Sequence, residues 1–290
     1  MRTWFHVVAA IVAAGCVAAP ALAQQQAEAT SPSSHFGSPP KLVELATTEP
    51  SEPMKLSEPW VFAITPFLWL PSVSGDLTAR GITFDASGDT SDTIDHLDEN
   101  LNFGLCLHVE ASKGRFGILG EVVYVDIGAE RDNPALGTTT DGTLKGFIGE
   151  LGVFYTVVQP ATPRDPGALR VDLLGGARIT GLEIDIDPQN SSTVSEEKWW
   201  VDPYIGVRGD LRLLKWFSVY GRFDVGGFDL GGSKLVWNAV AAGSFHFGKS
   251  IDLNLGWRWL DYDFEDGSGA NEFAIDALLN GPFVAMTFRF

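Results

Sequence analysis

Two histidines stand where a proton is within reach of a partner. Ser244 and His246 are two residues apart, as are His108 and Glu110, and in an extended chain residues i and i+2 share one face. A serine beside an imidazole begins a nucleophile–base pair, and an acid that orients the imidazole completes it. No orienting acid can be identified for His246 from the sequence. Both histidines therefore read as hydrogen-bonding groups on a polar strand face, and the expectation is that the chain is not an enzyme. The chain has no Gly-rich nucleotide loop and no Cys/His metal cluster, so no cofactor or metal is expected. Asp185, Asp187, Asp261, Asp263 and Asp266 fall in acidic stretches. They lack the twelve-residue spacing of an EF-hand loop and read as solvated surface.

A larger set of ionisable residues recurs at alternate positions: Glu110, Glu121, Glu150, Arg170, Asp172, Arg178, Asp202, Arg208, Asp210, Arg222, Asp224, Asp252, Arg258 and, at the far end, Arg289. If they share an enclosed face, arginines and acids meet across adjacent strands. The candidate partners are Arg170 or Arg178 with Asp202 and Asp210, Arg222 with Asp210 or Asp224, and Arg258 with Asp252. Charges in a narrow space must be paired or hydrated. Paired, they plug the interior; hydrated, they line a selective polar pore.

The elements that would position these charges are strands. Leu101, Phe103, Leu105, Leu107 and Val109 alternate with Asn102, Gly104, Cys106, His108 and Glu110. Leu169, Val171, Leu173, Ala177 and Ile179 oppose Arg170, Asp172, Gly176 and Arg178. Val201, Ile205 and Val207 oppose Asp202, Tyr204, Arg208 and Asp210. The same period of two reaches the last residue, with Phe290, Phe288, Met286 and Val284 on one face and Arg289, Thr287 and Ala285 on the other. Ten antiparallel strands are expected, at about 59–71, 99–112, 115–127, 143–158, 168–181, 199–212, 215–228, 233–247, 250–262 and 273–290. Twelve is the alternative, if 73–85 adds strands or Asn280-Gly281 turns the last stretch into a hairpin. Eight is the low count. Pro282 directly after Asn-Gly argues for ten, since it hinders a ladder in a short separate strand.

Composition sets the surroundings. There are 37 acids against 20 basic residues, a formal net charge of -17, which excludes nucleic acid as a partner class. Arg2 and the apolar run from Trp4 to Val17, closed by Ala21-Leu22-Ala23, read as a secretory signal over 1–23. Its removal leaves Cys106 as the one cysteine, so no disulfide framework is expected. Residues 24–58, rich in Gln, Ala, Ser, Pro and Glu, read as a flexible lead-in. No apolar run after the signal is long enough for a helical span. Abundant glycine (32 residues) and aromatics suit a barrel with lipid outside and polar groups inside.

Inside and outside are symmetric in a parity argument, so a soluble lipocalin-like or sandwich fold would show the same alternation. The signal, the terminal Phe-x-Phe and the bulk of the apolar face decide against it. Trp237, Trp257, Trp259, Phe245 and Phe247 overfill a narrow soluble lumen but suit an interfacial aromatic belt. Connections after 111, 158, 212 and 247 are mostly tight; those around 72–100, 128–142, 182–198 and 261–272 are long and polar. A helical turn over 91–99 is expected at the barrel mouth. Short turns belong in the periplasm and long loops outside.

FLWLPSVSG at 67–75, FGLCLHVEASKGRFG at 103–117, GWRWLDYDF at 256–264 and GPFVAMTFRF at 281–290 together resemble the opacity-type, porin-like outer-membrane β-barrel proteins of Gram-negative bacteria. The resemblance covers most of 59–290. It implies a cell outer-membrane location, lipid and lipopolysaccharide as surroundings, and recognition of the terminal Phe288 and Phe290 as an assembly signal by the outer-membrane assembly machinery. The fold class expected is all-β, a closed antiparallel transmembrane barrel with short periplasmic turns. The function expected is a structural or surface-contact role with a charge-plugged interior. A small-solute porin-like channel and a lipid-modifying enzyme are the alternatives.

Overall fold

The computed structural model describes residues 59–79, 81–85, 101–133, 138–188 and 194–290. The expected signal, the lead-in and the helical turn at 91–99 lie outside the described residues. In chain order the strands are β1 (Trp60–Trp69), β2 (Ser72–Ala79), β3 (Ile82–Asp85), β4 (Leu101–Lys113), β5 (Phe116–Asn133), β6 (Thr138–Val158), β7 (Leu169–Pro188), β8 (Val194–Leu214), β9 (Phe217–Gly227), β10 (Leu235–Phe247), β11 (Ile251–Asp266) and β12 (Phe273–Arg289). From β4 to β12 each strand pairs antiparallel with the next, and β1 bonds both β4 and β12. The sheet therefore closes on itself. Closure matters because backbone groups facing hydrocarbon have no water to turn to.

Twelve strands make a ten-stranded wall. β1 and β2 lie along the same edge of β12, with Trp69 opposite Phe283 and Ser72 opposite Asn280. They are two halves of one wall strand, broken at Leu70-Pro71. β3 folds back on β2, pairing Ile82 with Ala79, and adds nothing to the count. Pro66 is the last rung shared with β4, opposite Leu107; proline brings no N–H to a ladder.

Asn280-Gly281 makes no turn, because β12 runs unbroken through it. A Cβ on Gly281 would lie 2.1 Å from the Leu70 carbonyl oxygen and 2.6 Å from the Pro71 Cα. The glycine is there to let the break in the first wall strand press against the last one.

The structure corrects the expected loops at 128–142 and 182–198. Most of those residues continue the ladder, β5 reaching Asn133 and β7 reaching Pro188. The Thr138–Thr140 run and the alternating Ile184 and Ile186 favour extended chain despite the acids between them. At 21 residues, β6 and β8 are roughly twice the 9–11 residues that cross a bilayer, so the hairpins project beyond it. At the opposite end the connections between β4 and β5, β8 and β9, and β10 and β11 are tight, two of them turning on Gly114 (φ 62) and Gly248 (φ 72). Both ends of the barrel chain meet there: the Phe290 N–H donates to the Phe62 carbonyl at 3.0 Å.

The outer face is apolar. Leu151, Ile205 and Val153 are 70%, 62% and 60% exposed, values that only a hydrocarbon surrounding makes favourable. Aromatic pairs ring the wall at two heights, Phe116 with Tyr155 near the turns and Phe147 with Trp199 higher up. Residues 147 and 155 of β6 are separated by about 27 Å of strand, or roughly 20 Å along the axis after tilting. That matches an apolar band between two interfacial girdles. No helix among the described residues is long and apolar enough to cross a membrane; the crossing is made by strands.

Leu151→Arg, on the lipid face in mid-band, is expected to lower unfolding free energy by about 2–4 kcal/mol. Urea unfolding in vesicles measures it, and an unchanged midpoint would contradict the lipid-facing assignment.

Candidate functional site

The inward parity carries charge in the middle of the barrel. On β6 it places Glu150 next to Arg178 of β7, directly opposite in register. Arg178 Nε and Nη2 donate to Glu150 Oε1 at 2.9 and 2.7 Å, and Nη2 also meets Asp224 Oδ1 at 2.7 Å. Arg222 Nη2 donates to Glu150 Oε2 at 2.7 Å and its Nε to Asp224 Oδ2 at 2.8 Å. Two carboxylates thus alternate with two guanidiniums in a closed ring.

The chain of contacts continues. Asn238 donates to Asp224 at 2.8 Å and accepts from Arg258 Nε at 3.0 Å. Arg258 Nη1 donates to Glu121 at 2.6 Å. His108 joins Glu121 and Glu110 at 3.1 and 2.9 Å, and Glu110 binds Arg208 in a two-pronged contact. Arg208 donates to Asp172 at 2.8 Å, and Asp172 accepts from Arg170 at 2.9 Å. Five arginines (170, 178, 208, 222 and 258) meet five carboxylates (110, 121, 150, 172 and 224) in one connected lattice.

Each guanidinium also lies over an aromatic ring. Arg178 and Arg222 cover Tyr204 at 5.4 and 5.6 Å, Arg208 and Arg170 cover Phe154 at 4.3 and 5.5 Å, and Arg258 covers Trp69 at 4.9 Å. The ring face supplies a negative surface where no further oxygen fits, and it excludes water from the flat side of the cation. Space for Tyr204 is made by missing side chains: a Cβ on Gly152 or Gly176 would fall 2.4 or 2.9 Å from the Tyr204 hydroxyl.

Four expected members, Asp202, Asp210, Asp252 and Arg289, lie outside this lattice. Asp202 is opposite Arg178 in register, yet it accepts from Ser233 N at 2.6 Å, Ser233 Oγ at 2.9 Å and Trp200 Nε1 at 3.1 Å. It fastens the turn between β9 and β10 rather than a cation. Asp210 faces Arg170 in register but accepts from Ser218 at 2.7 Å. Asp252 pairs with His246 at 2.6 Å and with Arg289, and Arg258 goes to Glu121 instead. Of the expected partners, Arg222 with Asp224 is the pairing the structure makes.

Ser244 is not the partner of His246. His246 Nε2 meets Ser218 Oγ at 3.0 Å while its Nδ1 meets Asp252. Serine, imidazole and carboxylate are therefore in line, with distances a hydrolase triad would have. Two further observations describe the line. Ser218 is 0% exposed, and its hydroxyl donates to Asp210 at 2.7 Å. The cluster ties together the first residues of β9 and β11 and the last of β10.

Sequence reasoning missed three things: the aromatic platforms, Asn238 and the apolar upper layer. Above the charges, the same inward parity turns greasy: Val123 follows Glu121, Ile148 precedes Glu150, and Leu260, Tyr262 and Phe264 follow Arg258. With Trp69, Leu77, Trp200, Val236, Phe273 and Leu279 they form one buried cluster. The signal was available for Val123, Ile148, Trp200, Leu260 and Tyr262, each two or four residues from a charge already assigned inward. Below the charges, a cavity of about 510 Å³ opens toward the turn end, with His108, Arg208, Tyr220, His246 and Asp252 on its walls and Arg164, Lys215 and Lys249 at its rim.

A closed antiparallel barrel with a greasy exterior and a charged, packed interior is an integral outer-membrane β-barrel. Its backbone resembles the outer-membrane protease OmpT of Escherichia coli, at 10% identity and a TM-score of 0.53, over 82% of this chain and 99% of that one. Ail, the attachment invasion locus protein of Yersinia pestis, aligns at 10% identity and a TM-score of 0.34 over 80% of this chain and 99% of that one. The transport unit of the autotransporter AIDA-I from Escherichia coli aligns at 9% and 0.39 over 81% and 90%. No protein-family model and no curated protein matches the sequence. The likeness is to outer-membrane barrels at large and does not single out the opacity-type group.

Removing one member of a buried ion pair strands its partners, at a cost of roughly 3–5 kcal/mol. Glu150→Ala, which abandons Arg178 and Arg222, is expected to lose that much in chemical denaturation. Lys145→Ala, which opens the half-exposed pair with Glu183 (2.8 Å), is expected to leave the denaturation midpoint nearly unchanged, because solvent screens an exposed pair. Equal losses would mean the interior lattice is hydrated rather than buried.

Proposed function

We propose that this barrel is a non-catalytic, non-conducting outer-membrane protein that works through its projecting hairpins, with its interior serving as a structural plug. What supports the reading is the stacking of two closures in one lumen. Glu150, Asp224, Arg178 and Arg222 are each less than 9% exposed, and the apolar cluster around Trp200 and Leu260 lies directly outward of them. A hydrated ion crossing the interior would have to break the first and dehydrate against the second.

The projecting ends are acidic. Glu183, Asp185 and Glu197 on the β7–β8 hairpin, and Asp263, Glu265 and Asp266 on β11, are acidic, and among the described residues Lys145, Lys198 and Lys234 pair with Glu183, Asp266 and Glu265. Such a surface favours cationic contacts, and it meets the phosphates of lipopolysaccharide through divalent cations rather than directly. Membership of the opacity-type group, and recognition of Phe288 and Phe290 by the assembly machinery, belong to the same reading. Phe290 is 74% exposed at the periplasmic end, where an assembly factor would find it.

A channel is the second reading, favoured by the 510 Å³ cavity that already hollows the turn end. Planar-bilayer recording separates the two. The expected trace has no steady open level, and a stable conductance of hundreds of picosiemens would make the protein a pore. A fluorophosphonate probe tests the absence of catalysis. The folded protein is expected to leave Ser218 unlabelled, and labelling lost in Ser218→Ala would reverse that part of the proposal.

A further inference from the structure

Outward of the ion lattice the lumen holds a second space, distinct from the cavity at the turn end. It measures about 110 Å³ and is walled by Val73, Leu77, Val123, Ile148, Trp200 and Leu279, with Ala277 beside them and Asp76 exposed at its edge. The polar atoms nearest to it are turned to one another: Tyr262 Oη and Thr180 Oγ1 share a hydrogen bond of 3.0 Å, and the Trp200 indole N–H is held by Asp202 and Ser233. Nothing in the lining solicits water. A dry space lined by aliphatic and aromatic side chains holds no solvent, and one of about 150 Å³ takes benzene.

Its place in the wall matters as much as its lining. Above Pro66, β2 pairs with β12 on one edge and β3 on the other. Among the described strands, Leu101 to Leu105 of β4 are paired with β5 and not with β2. Among the described residues, the ladder that seals the barrel elsewhere is therefore interrupted beside this chamber, on the outward half of the wall. An apolar group has two ways in, from the lipid through that seam and from outside through the mouth. The floor is the paired lattice of Arg258, Glu150 and Arg178, which refuses onward passage to an uncharged guest.

We propose that this chamber is a binding site for a hydrocarbon group about the size of one aromatic ring or a short alkyl segment, a function separate from the hairpin contacts described above. The two sources of such a group are a free small apolar molecule and the end of a lipid acyl chain.

Trp200 reports on the site from within, because its ring is part of the wall. The full-length protein is reconstituted in vesicles, and tryptophan quenching is compared between the natural chain and Trp200→Phe so that the difference isolates Trp200. One series adds bromobenzene; the other uses lipids brominated on their acyl chains. Saturable quenching of the Trp200 component by bromobenzene alone identifies a free small molecule as the guest, and quenching by brominated chains identifies lipid. Ala277→Leu fills the chamber and is expected to weaken either effect by about tenfold or more, while retaining the heat-modifiable migration of a folded barrel. If Ala277→Leu does not fold, Val73→Leu fills the same space from the neighbouring strand. A Trp200 component that neither probe quenches, or that is quenched without saturation and equally in the filled variant, overturns the proposal.

Discussion

A guanidinium buried in a barrel that is itself enclosed by hydrocarbon has little access to bulk water, so its charge must be met inside. This constraint organises the whole interior. Glu150 answers three arginines, Arg178 and Arg222 directly and Arg258 at 3.7 Å. The desolvation of ten charges would overwhelm any single pair; alternating signs around a shared lattice give Glu150, Asp172, Asp224, Arg178, Arg208, Arg222 and Arg258 more than one neighbour of opposite sign. Aromatic faces do the remaining work. Phe154, Tyr204 and Trp69 take five guanidiniums between them, and glycines on adjoining strands vacate the space that Tyr204 occupies.

The lattice divides the barrel into zones along its axis. Toward the turns lies a cavity with a basic rim; toward the outside lies an apolar layer, and beyond it acidic hairpins. Among the described residues, acids without lattice partners cluster on the projecting ends, as at Glu183, Asp185, Asp263, Glu265 and Asp266. The zoning explains why one parity pattern serves several purposes. Position along a strand decides whether an inward residue must be ionic, apolar or solvated, while the outward residue stays apolar wherever lipid lies against it.

The breaks in regularity fall where two demands meet. The first wall strand must pair with β12 along its length and with β4 only up to Pro66. Leu70-Pro71 lets it change partners, and Gly281 makes room for the change. Among the described strands, the gap between β2 and the start of β4 lies beside that departure.

The alternation of apolar and polar residues determined the strands, their number and the face given to each side chain, because a period of two is a property of each strand alone and a closed wall leaves one side for lipid. The long β5–β6 and β7–β8 hairpins were only half legible: charge density suggested loop, whereas Thr138–Thr140, Ile184 and Ile186 carried the ladder on. The partners of the charges were decided by tertiary structure. Arg178 and Asp202 are neighbours in register and ignore each other, whereas Arg258 on β11 reaches Glu121 on β5 and Arg208 on β8 reaches Glu110 on β4. Those contacts cross the lumen. Sequence spacing describes a flat sheet, and only its curvature into a tube brings opposite walls within the length of an arginine side chain.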